Sequence, residues 1–182
     1  MANAIGMIEL SSIARGIITA DAMLKAGQVD MITASSTCPG KYIAIVHGEV
    51  AAVEASMAAG ITTAGTFLVD QITIANVHDG VYPALTATHM PEKINAIGIV
   101  ESFSMATMLI CTDAILKVAA LEAIECRLGN GLGGKAFFVF TGDVAAVEAG
   151  VEAGERIAVE NGPLVDCEII PSPAPDLLRH LL

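Results

Sequence analysis

The chain has 182 residues, 54% of them hydrophobic but only 4% aromatic and none of them Trp, a length that supports one domain or two small ones with a real core. Twenty acidic against nine basic residues leave a net charge of −11, and no basic cluster exists to neutralise phosphates, which argues against nucleic acid as a partner. No apolar run reaches the roughly 18–20 residues of a membrane span, and the opening MANAIGMIEL has neither a basic n-region nor a cleavage pattern, so a cytoplasmic address without a membrane partner is expected.

In chain order, Ala4–Leu10 is a short run rich in apolar and β-branched residues and predicts a strand. Ser11 or Ser12 caps a helix that runs to about Ala26, with Ile13, Ile17, Met23 and Leu24 as its apolar stripe and Gly27 as its stop. Val29–Ser35 and Tyr42–Val46 read as strands flanking a cysteine loop. Glu49–Ala59 reads as an Ala-rich helix ended by Gly60. Leu68–Val77 is a further strand, a short helix follows near Val81–Ala87, and Thr88–Lys93 is a linker. Strand, helix, two strands, helix, strand is the ferredoxin-like order, an α+β fold with helices on one side of an antiparallel sheet.

The chain then repeats itself. Ala4-Ile5-Gly6-Met7-Ile8-Glu9 returns as Ala96-Ile97-Gly98-Ile99-Val100-Glu101, and Asp21-Ala22-Met23-Leu24-Lys25 returns as Asp113-Ala114-Ile115-Leu116-Lys117, both at an offset of 92. Gly40-Lys41 matches Gly134-Lys135, and Gly48 to Ala55 matches Gly142 to Ala149, now at 94. This is a tandem duplication, with the two domains drawn at 1–90 and 91–182. A mean hydropathy of +0.65 is high for a soluble monomer and predicts apolar surface buried between subunits.

The candidate site is Ser35-Ser36-Thr37-Cys38-Pro39-Gly40-Lys41-Tyr42. Four widely spaced cysteines, Cys38, Cys111, Cys126 and Cys167, form no disulfide framework and no C-x-x-C pair. A lone thiol is most often a small buried hydrophobe, and that is the expectation for Cys111, Cys126 and Cys167. As a nucleophile Cys38 lacks a recognisable His or basic partner.

The repeated strand, the Asp-x-x-x-Lys helix, the Gly-Lys loop end and the Gly-(Asp/Glu)-Val-x-x-Val helix start together resemble the shell proteins of bacterial microcompartments in their tandem-domain form. The Cys-Pro-Gly-Lys loop is similar to the pore loop of the iron–sulfur-carrying propanediol-utilisation branch of that family. The resemblance implies a non-enzymatic shell subunit whose homotrimer forms a flat pseudohexamer and tiles edge to edge with other shell proteins. By position it places Cys38 at the three-fold axis, with Ser36, Thr37, Pro39 and Gly40 around it, and Lys25 and Lys117 on the outer rim. The family's Pro-Arg-Pro-His rim motif is replaced by Pro171-Ser172-Pro173-Ala174 and by Ala75-Asn76-Val77-His78.

On that axis three copies of one cysteine meet, and a 4Fe-4S cluster, one per trimer, is itself three-fold symmetric about a body diagonal. Pro39 stiffens the turn, Gly40 permits tight backbone, and the hydroxyls of Ser36 and Thr37 are placed to donate to sulfide. The role expected is electron transfer across the shell, or cluster delivery to an encapsulated redox enzyme. The alternative is a metal-free pore passing small metabolites, and a ligand-binding regulator is a third reading, since ferredoxin-like repeats also serve as sensors.

Other motifs point to structure. Gly129 to Lys135 fits the phosphate-loop spacing, but Ala136 stands where Ser or Thr should hold magnesium, and Phe137-Phe138-Val139-Phe140 reads as a strand where a helix must begin. His47, His78, His89 and His180 show no metal spacing and read as surface or interface residues. Glu9 and Glu101 recur at equivalent points, which favours a structural role over acid–base chemistry. Lys25 and Lys117 follow Asp21 and Asp113 by one helical turn, the spacing of an i,i+4 ion pair.

Overall fold

The computed structural model describes residues 3–181; Met1, Ala2 and Leu182, at the outer ends of the two expected domains, lie outside them. It divides into two compact units, one up to Val77 and one from His78 onward.

In the first unit β1 (Asn3–Leu10) leads to α1 (Ile13–Ala26), β2 (Asp30–Thr37), β3 (Lys41–Glu49), α2 (Val50–Ala64) and β4 (Leu68–Ala75). The four strands form one antiparallel sheet in the order β2-β3-β1-β4. Of the two serines before α1, Ser12 is the cap: its Oγ accepts from the Arg15 amide at 3.3 Å. Both helices pack on one sheet face, where Ala4, Ile8, Leu10, Met23, Tyr42, Val46, Val53 and Met57 form the buried core.

Gly60 does not end α2, which continues to Ala64. A Cβ at Gly60 would lie 2.4 Å from Ile8 Cδ1 and 2.8 Å from Met23 Cγ. The glycine is there because the side chains of Ile8 on β1 and Met23 on α1 fill the space a Cβ would need. The stop belongs to Gly65, whose φ of 55° with ψ of −130° lies in a positive-φ region that only glycine adopts readily, and whose amide donates to the Ile61 carbonyl.

The second unit repeats the plan with β5 (Ala96–Ser102), α4 (Met105–Val118), β6 (Glu122–Leu128), β7 (Ala136–Gly142), α5 (Val144–Asn161) and β8 (Leu164–Ile170), in the order β6-β7-β5-β8. Ser104 caps α4 as Ser12 caps α1, accepting from the Thr107 amide at 3.1 Å. On the helix face the stacked rings of Phe138 and Phe140, centroids 5.2 Å apart, fill the core. Strand alternation sends Ile97 and Val139 to the opposite face, where they cluster with Ile124.

Two short helices follow the last strands, α3 (Val81–Thr86) after β4 and α6 (Pro175–Leu181) after β8. The sequence boundary at 90/91 assigns α3 to the first repeat, yet α3 packs against β6 and α4, so the compact units divide at Val77. Thr88–Lys93 carries no helix or strand.

Candidate functional site

β2 and β3 form a hairpin whose last pair is Thr37 with Lys41, leaving Cys38-Pro39-Gly40 as the tip. Gly40 has φ 69°, which closes the turn, and the Cys38–Pro39 peptide is cis. Ser36, Pro39 and Gly40 are exposed, Cys38 is half-buried with a free thiol, and Thr37 is buried. Ser36 and Thr37 thus fall on opposite faces of β2, as successive strand positions must. A Cβ at Gly40 would meet nothing within 4 Å, so the space beside the tip is open.

Below the tip, Lys41 Nζ lies 2.5 Å from Glu9 Oε1 on the neighbouring strand, with the Glu9 side chain almost wholly buried. The second unit repeats the pair: Lys135 Nζ lies 2.6 Å from Glu101 Oε1. The structural role expected of the two glutamates is this one, a tie between β1 or β5 and the root of each hairpin. Glu and Gly-Lys both recur in the two repeats, and that shared recurrence is the sequence signal that joins them.

In place of a cysteine tip the second hairpin has a glycine loop. The Gly129 amide donates to the Lys135 carbonyl at 2.9 Å, and Gly129, Gly131, Gly133 and Gly134 all have positive φ. β7 follows directly, so the amides of a helix N-terminus that a phosphate loop needs are missing here.

The other cysteines are differently placed. Cys111 and Cys126 are buried, as expected, and burial pushes each thiol up to about 12. Cys167 is only half-buried; burial, then Glu155, Asp166 and Glu168, push it up to about 11. Burial thus holds these three as neutral thiols. Among the described residues no three His, Cys, Asp or Glu side chains are grouped to hold a metal ion.

The histidines are scattered. His89 Nε2 lies 3.2 Å from Glu122, His47 Nε2 lies 3.8 Å from Asp30, and His78 Nδ1 accepts from the Gly80 amide. Lys25 and Lys117 form the expected helical ion pairs with Asp21 and Asp113, at 2.5 and 2.7 Å.

The bacterial microcompartment (BMC) domain matches this chain twice, over residues 4–77 and 96–173. The chain is a tandem-domain bacterial microcompartment shell protein. It is 36% identical over its whole length, and 99% of the relative's, to the shell protein PduT of Citrobacter freundii. It is 30% identical, over 99% of this chain and 69% of the relative, to the carboxysome assembly protein CcmO of Synechococcus elongatus. A crystal structure of a microcompartment protein from Desulfitobacterium hafniense superposes with a TM-score of 0.94 at 47% identity, covering 97% of this chain and 98% of that one. A fused permuted hexameric shell protein shares the fold alone, with a TM-score of 0.64 at 16% identity over 88% and 83%.

The shell protein is therefore a structural subunit, not an enzyme, and its place is the microcompartment shell, in assembly with other shell proteins. Among the described residues no helix is long and apolar enough to cross a membrane.

Proposed function

We propose that three copies of this shell protein close into a ring, a pseudohexamer of six BMC domains, with the Cys38 hairpin of each at the central axis. There the three thiolates hold one 4Fe-4S cluster. The observation that carries this reading is the isolation of Cys38: a free thiol on an open hairpin tip, without a second ligand grouped around it among the described residues. One sulfur is no metal site, but a rotation axis multiplies it by three.

The donor set fits the group. Thiolate is the usual ligand of iron–sulfur clusters, the open side of Gly40 leaves room for bulk, and the exposed Ser36 hydroxyl is a donor for sulfide. Thr37, buried on the other strand face, supports the tip from behind, and Pro39 restrains its backbone. A bound cluster supplies one-electron transfer, which suits passage of electrons across the shell or supply of a cluster to an encapsulated redox enzyme.

Ring closure has separate support. Ile13, Ile17, Ile18 and Leu24 of α1 are exposed, whereas their repeat equivalents in α4, Met105, Leu109, Ile110 and Leu116, are buried or half-buried. An apolar face covered in one copy of a repeat and bare in the other calls for a partner.

Anaerobic reconstitution with iron and sulfide tests the site. Broad visible absorption and one cluster per three chains are expected, and Cys38→Ser abolishes both. Equal iron uptake by the two proteins sinks the assignment, and a trimer without uptake leaves the metal-free pore for small metabolites.

A further inference from the structure

The segments that lead from the last strand of each repeat into its short helix are equivalent in sequence position. Ile5 pairs with Ile74 and Ile97 with Ile170, so the two segments correspond at an offset of 96. The same turn confirms it: the Val81 amide donates to the His78 carbonyl at 3.0 Å, and the Leu177 amide to the Ala174 carbonyl at 3.0 Å. His78 thus corresponds to Ala174, Gly80 to Asp176 and Val81 to Leu177.

Their surroundings differ. The segment leading into α3 is seated on α4. The His78 amide donates to Asp113 Oδ1 at 2.8 Å, and Gly80 sits so close to Leu116 that a Cβ there would be 3.2 Å from its Cδ1. Val81 and Ala84 are buried completely. At the other end of the chain Ala174 is exposed and Leu177 is 38% exposed. The surface equivalent to the α3 seat is bare too: on α1, Leu24 is 46% exposed and the Asp21 side chain 58% exposed.

We propose that α6 of one copy docks on α1 of a second copy, as α3 docks on α4. Leu177 covers Leu24, and the Ala174 amide donates to the Asp21 carboxylate. The occupant is a second copy because the chain already contains a worked instance of the contact, made by the equivalent segment on the equivalent helix. The contact is heterologous, first repeat of one chain to second repeat of the next, and such a contact propagates until rotation closes it. This inference rests on the ring reading and adds the latch that joins one copy to the next.

The test is a cross-link in the full chain. In a Cys38→Ser background, which removes the tip thiol, Leu24→Cys and Leu177→Cys are combined and treated with a short bis-maleimide. Covalent dimer and trimer on a denaturing gel are expected from the double variant, covalent dimer alone from an equimolar mixture of the two single variants, and neither from a single variant alone. Sedimentation is run in parallel on the unmodified protein. A trimer in solution with no cross-link overturns the latch and leaves the ring standing, whereas a monomer overturns both. As a second variant, Leu24→Asp places a charge in the contact and shifts the sedimentation profile toward monomer; an unshifted profile counts against the latch.

Discussion

Lys41 and Glu9 form a salt bridge of 2.5 Å between adjacent strands, and the carboxylate is the buried partner. The asymmetry decides how each substitution behaves. Lys41→Met strands a buried carboxylate and is expected to cost about 1–3 kcal/mol, below the usual range for a broken buried pair because Lys41 itself is partly exposed to solvent. Glu9→Gln leaves a lysine that reaches water and costs less. Urea denaturation of both variants checks the order, and an equal cost for the two would refute the argument.

Thiol chemistry separates the cysteines by burial. At pH 8 a thiol titrating near 12 is thiolate in only about one molecule in ten thousand, and one near 11 in about one in a thousand. A disulfide reagent is therefore expected to modify Cys38 in the native protein while Cys111 and Cys126 react only on unfolding. Mass mapping after brief exposure reads this directly.

The same burial makes stability fall in alkali. Cys111 and Cys126 titrate near 12 folded against 9.0 for the ordinary thiol. Between those values the unfolded chain binds fewer protons than the folded one, so unfolding becomes easier as pH rises. Their contribution is fully present below pH 9 and is lost progressively above it. Chemical denaturation from pH 8 to 10.5 is expected to show the decline, and a Cys111→Ala, Cys126→Ala double variant to flatten it at a lower starting stability.

Gly60 carries a steric prediction. Gly60→Val forces branched atoms into the contact with Ile8 and Met23 and is expected to cost about 1–3 kcal/mol. Gly60→Ala costs less, because better helix propensity returns about 1 kcal/mol. Thermal unfolding of the pair distinguishes crowding from any loss of flexibility, which would rank them together.

Charge sets the conditions for tiling. Three chains at −11 each carry −33, and flat neighbours meet edge to edge against that repulsion. Salt near 0.1 M shortens the reach of such charges to about 10 Å, so sheet assembly by this protein alone is expected to improve with ionic strength. Electron microscopy across a salt series checks it, and indifference to salt would remove the electrostatic argument.

The duplication, the strand–helix order and the Ser caps were legible in the residues because each is local: alternation, helical spacing and a hydroxyl beside a free amide. The strand after the glycine loop was legible for the same reason, since Phe137-Phe138-Val139-Phe140 carries a strand pattern. Gly60 misled, because a glycine that stops a helix and one that leaves room for neighbouring side chains look alike until Ile8 and Met23 stand opposite. The pairing of Glu9 with Lys41 was hidden by their separation along the chain. The seat of α3 on the second repeat was hidden too. By sequence it belongs with the strand before it, and only burial against α4 and β6 assigns it elsewhere. The sequence by itself determined what recurs and where a lone thiol stands. Tertiary structure decided which repeat surfaces are covered and which remain bare, because coverage depends on distances between residues that the chain order keeps far apart.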